Sequence, residues 1–429
     1  MSKRNKFGKR TTIFSKSDRL FSLIVNESPR RKPLVVKKFC NTFRPTFPTF
    51  IPIKRIIFDG LSSPLSESDV TEDSFHSCVD GDSSKEIFST PPKADAIEVN
   101  HASKDFSHLL SACNQVTVLE FADLMNDIDV ENILISKVGE GVSGDVYSFG
   151  AGSEFVMKII PVDIDSPSRL SDLTKEVLLT SELSAVCFNF VHFFKARVVF
   201  GEYPDQFLDA SISFKENKPN EAINPLPNEF SANQNFLILQ LELAGKTMEH
   251  YDFTNLFQSI SLIQQVACAF AMAEEMLKFE HRDLHISNIM FKLTRQKKYT
   301  YFIDRKEVPI QLRGVKATII DYNLSRINYE QFPIFTDYSK DKEMFSSRED
   351  YQFQIYRFTR DLLKDDWSQF APKTNIYWLH YFTDKLLYYK RGKSVNDERR
   401  AEIKLFYKKI LSYNSCLELV KKSNLLDLR

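Results

Sequence analysis

The chain has 429 residues, of which 43% are hydrophobic and 27% charged, and its 57 Lys and Arg residues balance 57 Asp and Glu. These values are typical of a folded protein with a hydrophobic core, and they exclude collagen-like, coiled-coil and wholly disordered chains. Because the net charge is zero, the chain as a whole gives no case for nucleic-acid or membrane attraction. The six cysteines form no CxxC pair, which speaks against a zinc knuckle or a disulfide framework and favours a reducing compartment. We find no uninterrupted apolar segment near the roughly 18 residues that a membrane span needs, so we predict no membrane partner.

The first part of the chain, residues 1–114, is predicted to be a disordered tail. Residues 1–60 hold 15 Lys or Arg against 3 acidic residues, whereas residues 61–100 hold 9 acidic residues against 2 Lys. The segment is also rich in Ser, Thr and Pro and has no sustained period of 2 or 3.6, which is typical of disorder. The basic clusters at 30–32 and 37–38 are candidates for nuclear import or DNA contact, and a solvated tail without a receptor explains them equally well.

Residues 115–429 have the pattern of two lobes. Strand-like segments occupy 133–138, 145–149, 154–160, 193–200 and 236–243, with one helical stretch at 170–185 among them. We interpret residues 201–235, with their Pro and Asn, as an excursion between two strands. Beyond residue 245 apolar residues recur at helical spacing in 261–279, 350–363, 376–389 and 401–413. The fold class is therefore α+β, with a small mostly β lobe at about 115–244 and a mainly α lobe at about 245–429.

Glycine is scarce, yet five of the twelve glycines fall within residues 139–152. The segment GEGVSGDV (139–146) matches G-x-G-x-x-G-x-V between two predicted strands, where glycines let backbone amides approach phosphate oxygens. A glycine-rich hairpin without a ligand is the ordinary alternative. Lys158 lies on the next strand, where a kinase-type lysine reaches the α- and β-phosphates, and Glu176 on the following helix could hold its ammonium group.

The most specific motif is HRDLHISN, residues 281–288, which follows a long predicted helix. In this motif Asp283 would accept the proton of a substrate hydroxyl, and Asn288 would bind a metal ion. An apolar strand at 315–320 then ends at Asp321, a second candidate ligand for Mg²⁺. These elements occur in the order of a protein kinase, which predicts a bilobal kinase-like fold that uses ATP and Mg²⁺.

With these motifs in place, the chain resembles the haspin family of atypical serine/threonine protein kinases over roughly residues 115–429. The segments that carry the likeness are GEGVSGDVYSF, KEVLLTSELS, HRDLHISNIMF, DYNLSRI, EDYQFQIYR (349–357) and NIYWLHYFTDKLL (375–387). Like that family, the chain lacks Asp-Phe-Gly, here Asp-Tyr-Asn, and lacks Ala-Pro-Glu. The resemblance implies a rigid, constitutively active arrangement in which Arg282 lacks the usual phosphate partner. It also makes Asp350 a candidate brace for the catalytic loop, although a helix N-cap is an equally good local interpretation.

The resemblance further implies which residues bind ligands. For the nucleotide these are Gly139, Glu140, Gly141, Val142, Gly144, Val146, Val156, Lys158, Leu241, Glu242, Leu243 and Gly245. Among them Leu241 would be the gatekeeper, Val146 and Val156 would sandwich the adenine, and Glu242 and Leu243 would offer backbone hydrogen bonds.

For the substrate the resemblance implies the third-position threonine of the histone H3 tail, with another basic peptide segment as the alternative partner. It further implies a monomeric protein that acts on chromatin in the nucleus, with a possible cytoplasmic pool and a role in mitotic or meiotic chromosome function. The candidate substrate contacts are Glu249, His285, Asp341 and Glu343. The three carboxylates among them suit a tail that bears arginine and lysine. Thr247, where the family usually has aspartate, and Ile286 with Ser287, in place of Trp and Gly, depart from the family pattern.

Two other functions stay open at the sequence level. The Asp-Tyr-Asn variant and the altered catalytic loop are compatible with a catalytically weak pseudokinase that serves as a chromatin-binding scaffold. A small-molecule kinase of the aminoglycoside or choline type also has an H-x-D-x₄-N loop, but the complete glycine motif and the Arg of HRD speak against it.

Overall fold

The small lobe is built on a sheet whose strands carry apolar side chains on both faces. A computed structural model describes residues 104–126, 133–141, 144–150, 152–248, 250, 251, 253, 255–388, 397–423 and 425. The elements of this lobe are α1 (Lys104–Ala112), β1 (Leu119–Glu120), α2 (Phe121–Asn126), β2 (Ile135–Gly141), β3 (Gly144–Phe149), β4 (Phe155–Val162), α3 (Pro167–Ser184), β5 (Phe193–Phe200), α4 (Asp205–Asn217) and β6 (Asn235–Glu242). The strand order is β1-β5-β6-β4-β3-β2. The pairing of β1 with β5 is parallel and the other pairings are antiparallel.

The alternation of side chains along β6 shows how the sheet is covered. Leu237 and Leu239 pack into a cluster with α1 and α3, whereas Phe236 and Ile238 pack on the opposite face with α2 and α4. Successive side chains of a strand point to opposite faces, so a continuous apolar run predicts a strand buried on both sides. The sheet is thus held rigidly between two helical layers.

The large lobe is organised around one long helix. Its elements are β7 (Lys246–Thr247), α5 (Leu256–Leu277), β8 (Ile289–Leu293), β9 (Lys298–Ile303), β10 (Lys306–Gln311), β11 (Val315–Ile319), β12 (Ile327–Tyr329), β13 (Phe332–Ile334), α6 (Lys342–Ser346), α7 (Tyr351–Leu363), α8 (Lys373–Tyr388), α9 (Asp397–Ile410) and α10 (Cys416–Lys422). The Asn255 side chain caps α5 by accepting from the Gln258 amide, and Lys278 ends it in the left-handed region at φ 52°. Among the described helices α5 alone is long and apolar enough to cross a membrane, and 94% of its apolar window is buried inside the domain, as in a core helix.

The connection between β6 and β7 joins the two lobes at the predicted boundary. β7 no longer belongs to the sheet of the small lobe, because it pairs with β8 in the order β11-β8-β7. Gly245 makes this change of direction possible: its φ is +112°, and a Cβ there would lie 2.3 Å from the Phe291 carbonyl oxygen. Only glycine tolerates such a backbone and such a close approach.

Two predictions about the organisation of the chain need correction. The predicted tail ends too late, because α1 lies within it and buries Phe106, Leu109 and Leu110, residues at helical spacing. The rest of the predicted tail, residues 1–103, lies outside the described residues. The excursion at 201–235 does connect β5 to β6, but it contains α4, which packs on β2.

Candidate active site

The glycine-rich segment forms the predicted hairpin. β2 and β3 pair so that Gly139 faces Val146 and Gly141 faces Gly144. A Cβ on Gly144 would lie 2.1 Å from the Ile159 carbonyl oxygen of β4, so the close packing of β3 on β4 requires glycine at this position. Val142 lies outside the described residues. The prediction of a strand on each side of this segment is confirmed.

Lys158 and Glu176 form the predicted ion pair between β4 and α3. The distance from Lys158 Nζ to Glu176 Oε1 is 2.5 Å, and both side chains are buried. Burial opposes the charged form, but the carboxylates of Glu176 and Asp321 outweigh it and raise the pKa of Lys158. The ammonium group is therefore held charged next to Asp321, where a nucleotide phosphate needs a cation.

Asp283 is held on several sides in the loop after α5. The side-chain nitrogen of Asn288 donates to the carboxylate of Asp283 at 3.3 Å and to the backbone carbonyl of Asp283 at 2.9 Å. The hydroxyl of Tyr356 on α7 donates to the other carboxylate oxygen. The side chain of Asp283 keeps 16% of its surface exposed. These contacts orient the carboxylate and leave it accessible to a substrate hydroxyl.

The two histidines of the loop support Asp283. His281 is fully buried and accepts a hydrogen bond from the Asp283 amide through Nδ1 at 3.3 Å. Burial, with a smaller contribution from His285, lowers the pKa of His281 to about 3, so this ring is neutral at physiological pH. His285 is also buried, with Nε2 3.8 Å from an Asp283 carboxylate oxygen. It faces the catalytic carboxylate, and its contact with the substrate stays a prediction.

Arg282 is neutralised inside the protein. Its guanidinium donates to both carboxylate oxygens of Glu280, at 2.9 and 3.2 Å, and to the carbonyls of Trp367 and Gln369, at 2.7 and 2.9 Å. Both members of the pair have no exposed side-chain surface, and Arg282 adopts a left-handed backbone at φ 63°. Such strain persists only where surrounding contacts hold it. The resemblance implied that Arg282 lacks the phosphate partner that it has in other kinases. In this structure the carboxylate of Glu280 takes the place of that phosphate.

The two candidate metal ligands lie where the loop meets the end of β11. The Ile320 amide donates to the Asn288 carbonyl at 3.0 Å, which brings the start of Asp-Tyr-Asn next to the catalytic loop. Asn288 is fully buried, and its Oδ1 has no hydrogen-bond partner among the described residues. Asp321 adopts a left-handed backbone at φ 60°. An orphaned amide oxygen and a carboxylate fit Mg²⁺, which takes one or two protein oxygens and completes its shell with phosphates and water. The described residues contain no cluster of three or more His, Cys, Asp or Glu that could hold a metal by themselves.

The predicted adenine pocket is partly corrected. Val146 and Val156 are buried, and Leu241 pairs with Val156 across β4 and β6, as a gatekeeper position requires. However, the Glu242 amide already donates to the His192 carbonyl and the Leu243 amide to the Glu154 carbonyl, at 2.9 and 2.8 Å. Neither amide is available to adenine.

The next amide along the connection is a better candidate for adenine. The amide of Ala244 has no acceptor among the described residues.

The side chain of Glu242 anchors the connection between the lobes, because it binds Lys292 on β8 and Lys316 on β11. Burial alone would raise the pKa of Glu242, but these ammonium groups hold it below its usual value.

Two further residues act through contacts that differ from the predictions. Glu140 binds Lys137 and the amides of Ile223 and Asn224 with its carboxylate, so only its main chain remains for phosphate. Asp350 does not brace the catalytic loop. It caps α7 by accepting from the Gln352 amide at 3.1 Å and pairs with Lys385 at 2.5 Å, as the N-cap alternative predicts.

The sequence analysis missed the residues that do brace the loop. Tyr356 lies within EDYQFQIYR, and Glu280 directly precedes HRD. Asn375, from NIYWLHY, accepts from the His281 amide at 3.0 Å through its side-chain oxygen. The signal in the sequence was that EDYQFQIYR and NIYWLHYFTDKLL carry the family resemblance. That resemblance did not indicate which side chain in each segment holds the catalytic loop.

Two of the candidate substrate contacts, Asp341 and Glu343, lie beside α7. Asp341 caps the short helix α6, and both it and Glu343 are exposed. Arg357 on α7 donates to the carbonyls of Phe345 and Ser347 at 3.1 and 2.7 Å, which ties α6 to the helix that carries Tyr356. Glu249 lies outside the described residues.

The comparisons with known proteins agree with this geometry. Residues 59–427 match the family model of the haspin like kinase domain. The chain belongs to the haspin-like kinase family. The serine/threonine-protein kinase haspin homolog of Drosophila melanogaster is 34% identical over 309 residues, 67% of this chain and 54% of that protein. Haspin of Bos taurus is 30% identical over 396 residues, 86% of this chain and 50% of that protein. This haspin-like chain thus spans about half the length of the curated relatives it matches.

In this haspin-like domain the segment after Asp321 is held in place by contacts within the protein, with no phosphorylated residue. Its backbone pairs with the catalytic loop, since the Glu280 amide donates to the Arg326 carbonyl and the Arg326 amide to the Glu280 carbonyl, at 2.9 and 2.8 Å. The β12–β13 hairpin follows, and its Tyr329 and Ile334 pack against the cluster of α1 and α3 in the small lobe. The hairpin therefore supports α3, the helix that carries Glu176.

Proposed function

We propose that the chain is an active serine/threonine protein kinase that transfers the γ-phosphoryl group of Mg·ATP to a hydroxyl in a basic protein segment, and that this segment is the histone H3 N-terminal tail. The observation that carries the proposal is the buried Lys158–Glu176 pair next to Asp321. This pair keeps the lysine charged beside a candidate metal ligand, which is the arrangement that phosphoryl transfer needs and which favours an active kinase over a scaffold.

The residues of the chain would act mainly by positioning and by neutralising charge. Lys158 would bind the α- and β-phosphates. Asp283, oriented by Tyr356 and Asn288, would orient the substrate hydroxyl and accept its proton. Asn288 and Asp321 would hold Mg²⁺, which when bound neutralises charge on the phosphates.

The domain would need no activating phosphorylation. In many kinases the arginine before the catalytic aspartate is paired by a phosphate on the activation segment. Here Glu280 supplies the negative charge, so the segment is ordered in the unmodified chain. This supports the expectation of constitutive activity that the resemblance implied.

The histone substrate is supported by the family and by the charge beside the catalytic loop. Asp341 and Glu343 expose carboxylates on α6, and charge-assisted hydrogen bonds from carboxylates select arginine and lysine. We further propose that the protein acts as a monomer on chromatin in the nucleus, with a role in mitotic or meiotic chromosome function.

The experiment measures phosphate transfer from labelled ATP to three peptides: a copy of the histone H3 N-terminus, the same peptide with its third-position threonine replaced by valine, and the same peptide with its arginines and lysines replaced by glutamine. We expect labelling of the first peptide only. Labelling of the valine peptide would reject the threonine assignment, and equal labelling of the neutral peptide would reject recognition of basic side chains.

A pair of variants tests the acidic surface. Glu343→Gln is expected to raise the KM for the peptide roughly 3–10-fold, the worth of one ordinary hydrogen bond, because glutamine keeps an acceptor oxygen and loses only the charge; the KM for ATP should not change. Glu349→Gln is the matched control, because Glu349 is also an exposed glutamate in the same segment. Equal effects of the two variants would show that only the overall charge matters.

A further inference from the structure

The segment between β5 and β6 reaches over the glycine-rich hairpin and binds it through a buried polar network. The carboxylates of Glu140 and Asp145 face each other across the β2–β3 pair. Like charges directly opposite in a sheet are destabilising. The ammonium group of Lys137 lies between them, 2.5 Å from Glu140 and 2.9 Å from Asp145. All three residues are at most 8% exposed, so these charges depend on their partners.

Residues from the connecting segment complete the network. The amides of Ile223 and Asn224 donate to Glu140 Oε2 at 2.6 and 2.9 Å. The side-chain amide of Asn224 donates to Asp145 Oδ1 at 2.8 Å and to the Gly141 carbonyl at 3.2 Å. Asn224 therefore touches both strands of the hairpin and one of its glycines. No kinase motif includes this residue.

The helix α4 of the same segment adds two contacts. The ring of Phe214 lies 5.5 Å from the Lys137 ammonium group, within the range of a cation–π interaction. The hydroxyl of Ser211 forms a 2.8 Å hydrogen bond with the hydroxyl of Tyr147 on β3. The segment thus contacts the hairpin along its length.

We propose that this segment fixes the glycine-rich hairpin in its ATP-binding position, and that Asn224 is a positioning residue for the nucleotide. Glycine lets backbone approach phosphate but also leaves it free to move. A hairpin that is already held loses less conformational freedom when the nucleotide binds. The network also pairs two carboxylates that would otherwise repel phosphates.

The inference rests on the proposed kinase function, and the experiment separates the two. ATP and ADP affinities, the KM for ATP, kcat and the melting temperature are measured for the wild type, Asn224→Ala and Asn217→Ala. Asn217 is the matched control, because among the described residues its side chain bonds only to Ser213 within α4. Absence of nucleotide binding by the wild type would reject the proposed function itself.

The expected result for Asn224→Ala is a rise of about 5–30-fold in the KM for ATP and in the dissociation constant of ADP, equivalent to about 1–2 kcal/mol, the worth of one or two ordinary hydrogen bonds. The kcat should change less than about threefold, and Asn217→Ala should behave as the wild type. A lower melting temperature with an unchanged KM for ATP would overturn the proposal and leave Asn224 a purely structural residue.

A second measurement uses the wild type alone and does not depend on the folding of a variant. Coupling between two sites is reciprocal, so if the network favours ATP, then Mg·ATP must stabilise the network. Hydrogen exchange at the amides of Ile223 and Asn224 should slow several-fold on addition of Mg·ATP, although neither residue belongs to the nucleotide site. Protection of the β2–β3 amides without any change at 223 and 224 would refute the coupling.

Discussion

Replacement of Glu280 by glutamine removes one charge from a pair that lies wholly inside the protein. Neither Glu280 nor Arg282 has exposed side-chain surface. Glu280 also accepts hydrogen bonds from the Ala371 amide at 2.9 Å and from the Thr374 hydroxyl at 2.7 Å. Glutamine keeps the size of the side chain and one acceptor oxygen, so the variant isolates the effect of the charge.

The size of the effect follows from the partners that remain. In Glu280→Gln the guanidinium of Arg282 keeps only neutral acceptors, among them the Trp367 and Gln369 carbonyls. Breaking a buried ion pair on one side typically costs about 3–5 kcal/mol, because the other charge stays buried and uncompensated. We therefore expect the free energy of unfolding to fall by about 3–5 kcal/mol, together with a large loss of transferase activity since the adjacent Asp283 loses its fixed backbone.

The assay is urea unfolding followed by fluorescence, with Asp361→Asn as the control. Asp361 pairs with Arg360 at 2.9 Å, but both side chains are exposed, and removal of such a pair typically changes stability by about 0–1 kcal/mol. A loss below about 1 kcal/mol for Glu280→Gln, equal to that of the control, would refute the view that this pair replaces an activating phosphate as the anchor of the loop.

Three further changes test individual contacts. Tyr356→Phe removes the hydroxyl that donates to Asp283, and steady-state kinetics should show kcat about tenfold lower with the KM for ATP unchanged, whereas a wild-type kcat would contradict an orienting role. The pKa of His281 is about 3 in the folded chain, below the unfolded value of about 6.5, so this one residue should lower the free energy of unfolding by about 2 kcal/mol between pH 7 and pH 5, as the unfolded state takes up the proton. His281→Gln should lose less over that range in urea unfolding, and equal slopes would contradict the burial argument. Gly144→Ala places a Cβ against the Ile159 carbonyl and should lower the free energy of unfolding by about 1–3 kcal/mol. An unchanged denaturation midpoint would show that β3 and β4 can move apart enough to accept the methyl group at no cost.

The sequence predicted the parts of the site whose chemistry is local in the chain. The glycine segment, Lys158, the HRD loop and Asp321 are recognisable because each combines a reactive side chain with a characteristic strand, turn or helix end. Their order then predicts the fold that brings them together. The confirmed pairing of Lys158 with Glu176 spans only 18 positions and follows from a strand and the next helix.

The contacts that hold the site were harder to predict because they join distant parts of the chain. Tyr356 and Asp283 are 73 positions apart, and Asn224 and Glu140 are 84 apart. No spacing rule relates such residues, and each alone resembles an ordinary polar residue. The engaged amides of Glu242 and Leu243 were missed for the same reason.

The helices α1 and α4 were also missed, although the helical spacing of their apolar residues was present in the sequence. Phe106, Leu109 and Leu110 in α1 recur at helical intervals, as do Phe207, Ala210 and Phe214 in α4. Neighbouring polar, Pro and Asn residues outweighed these short signals. Tertiary packing against the sheet supplied what the local pattern lacked.

The most direct test of kinase activity is transfer of the γ-phosphoryl group to the histone H3 peptide by the wild type and by Asp283→Asn, with ATP affinity measured in parallel. We expect transfer by the wild type and a loss of roughly 10²–10⁴-fold in kcat for the variant, the usual contribution of a positioned base, while the dissociation constant of ATP stays within about twofold. Equal transfer by both proteins, or ATP binding by the wild type without transfer to any protein hydroxyl, would contradict this expectation.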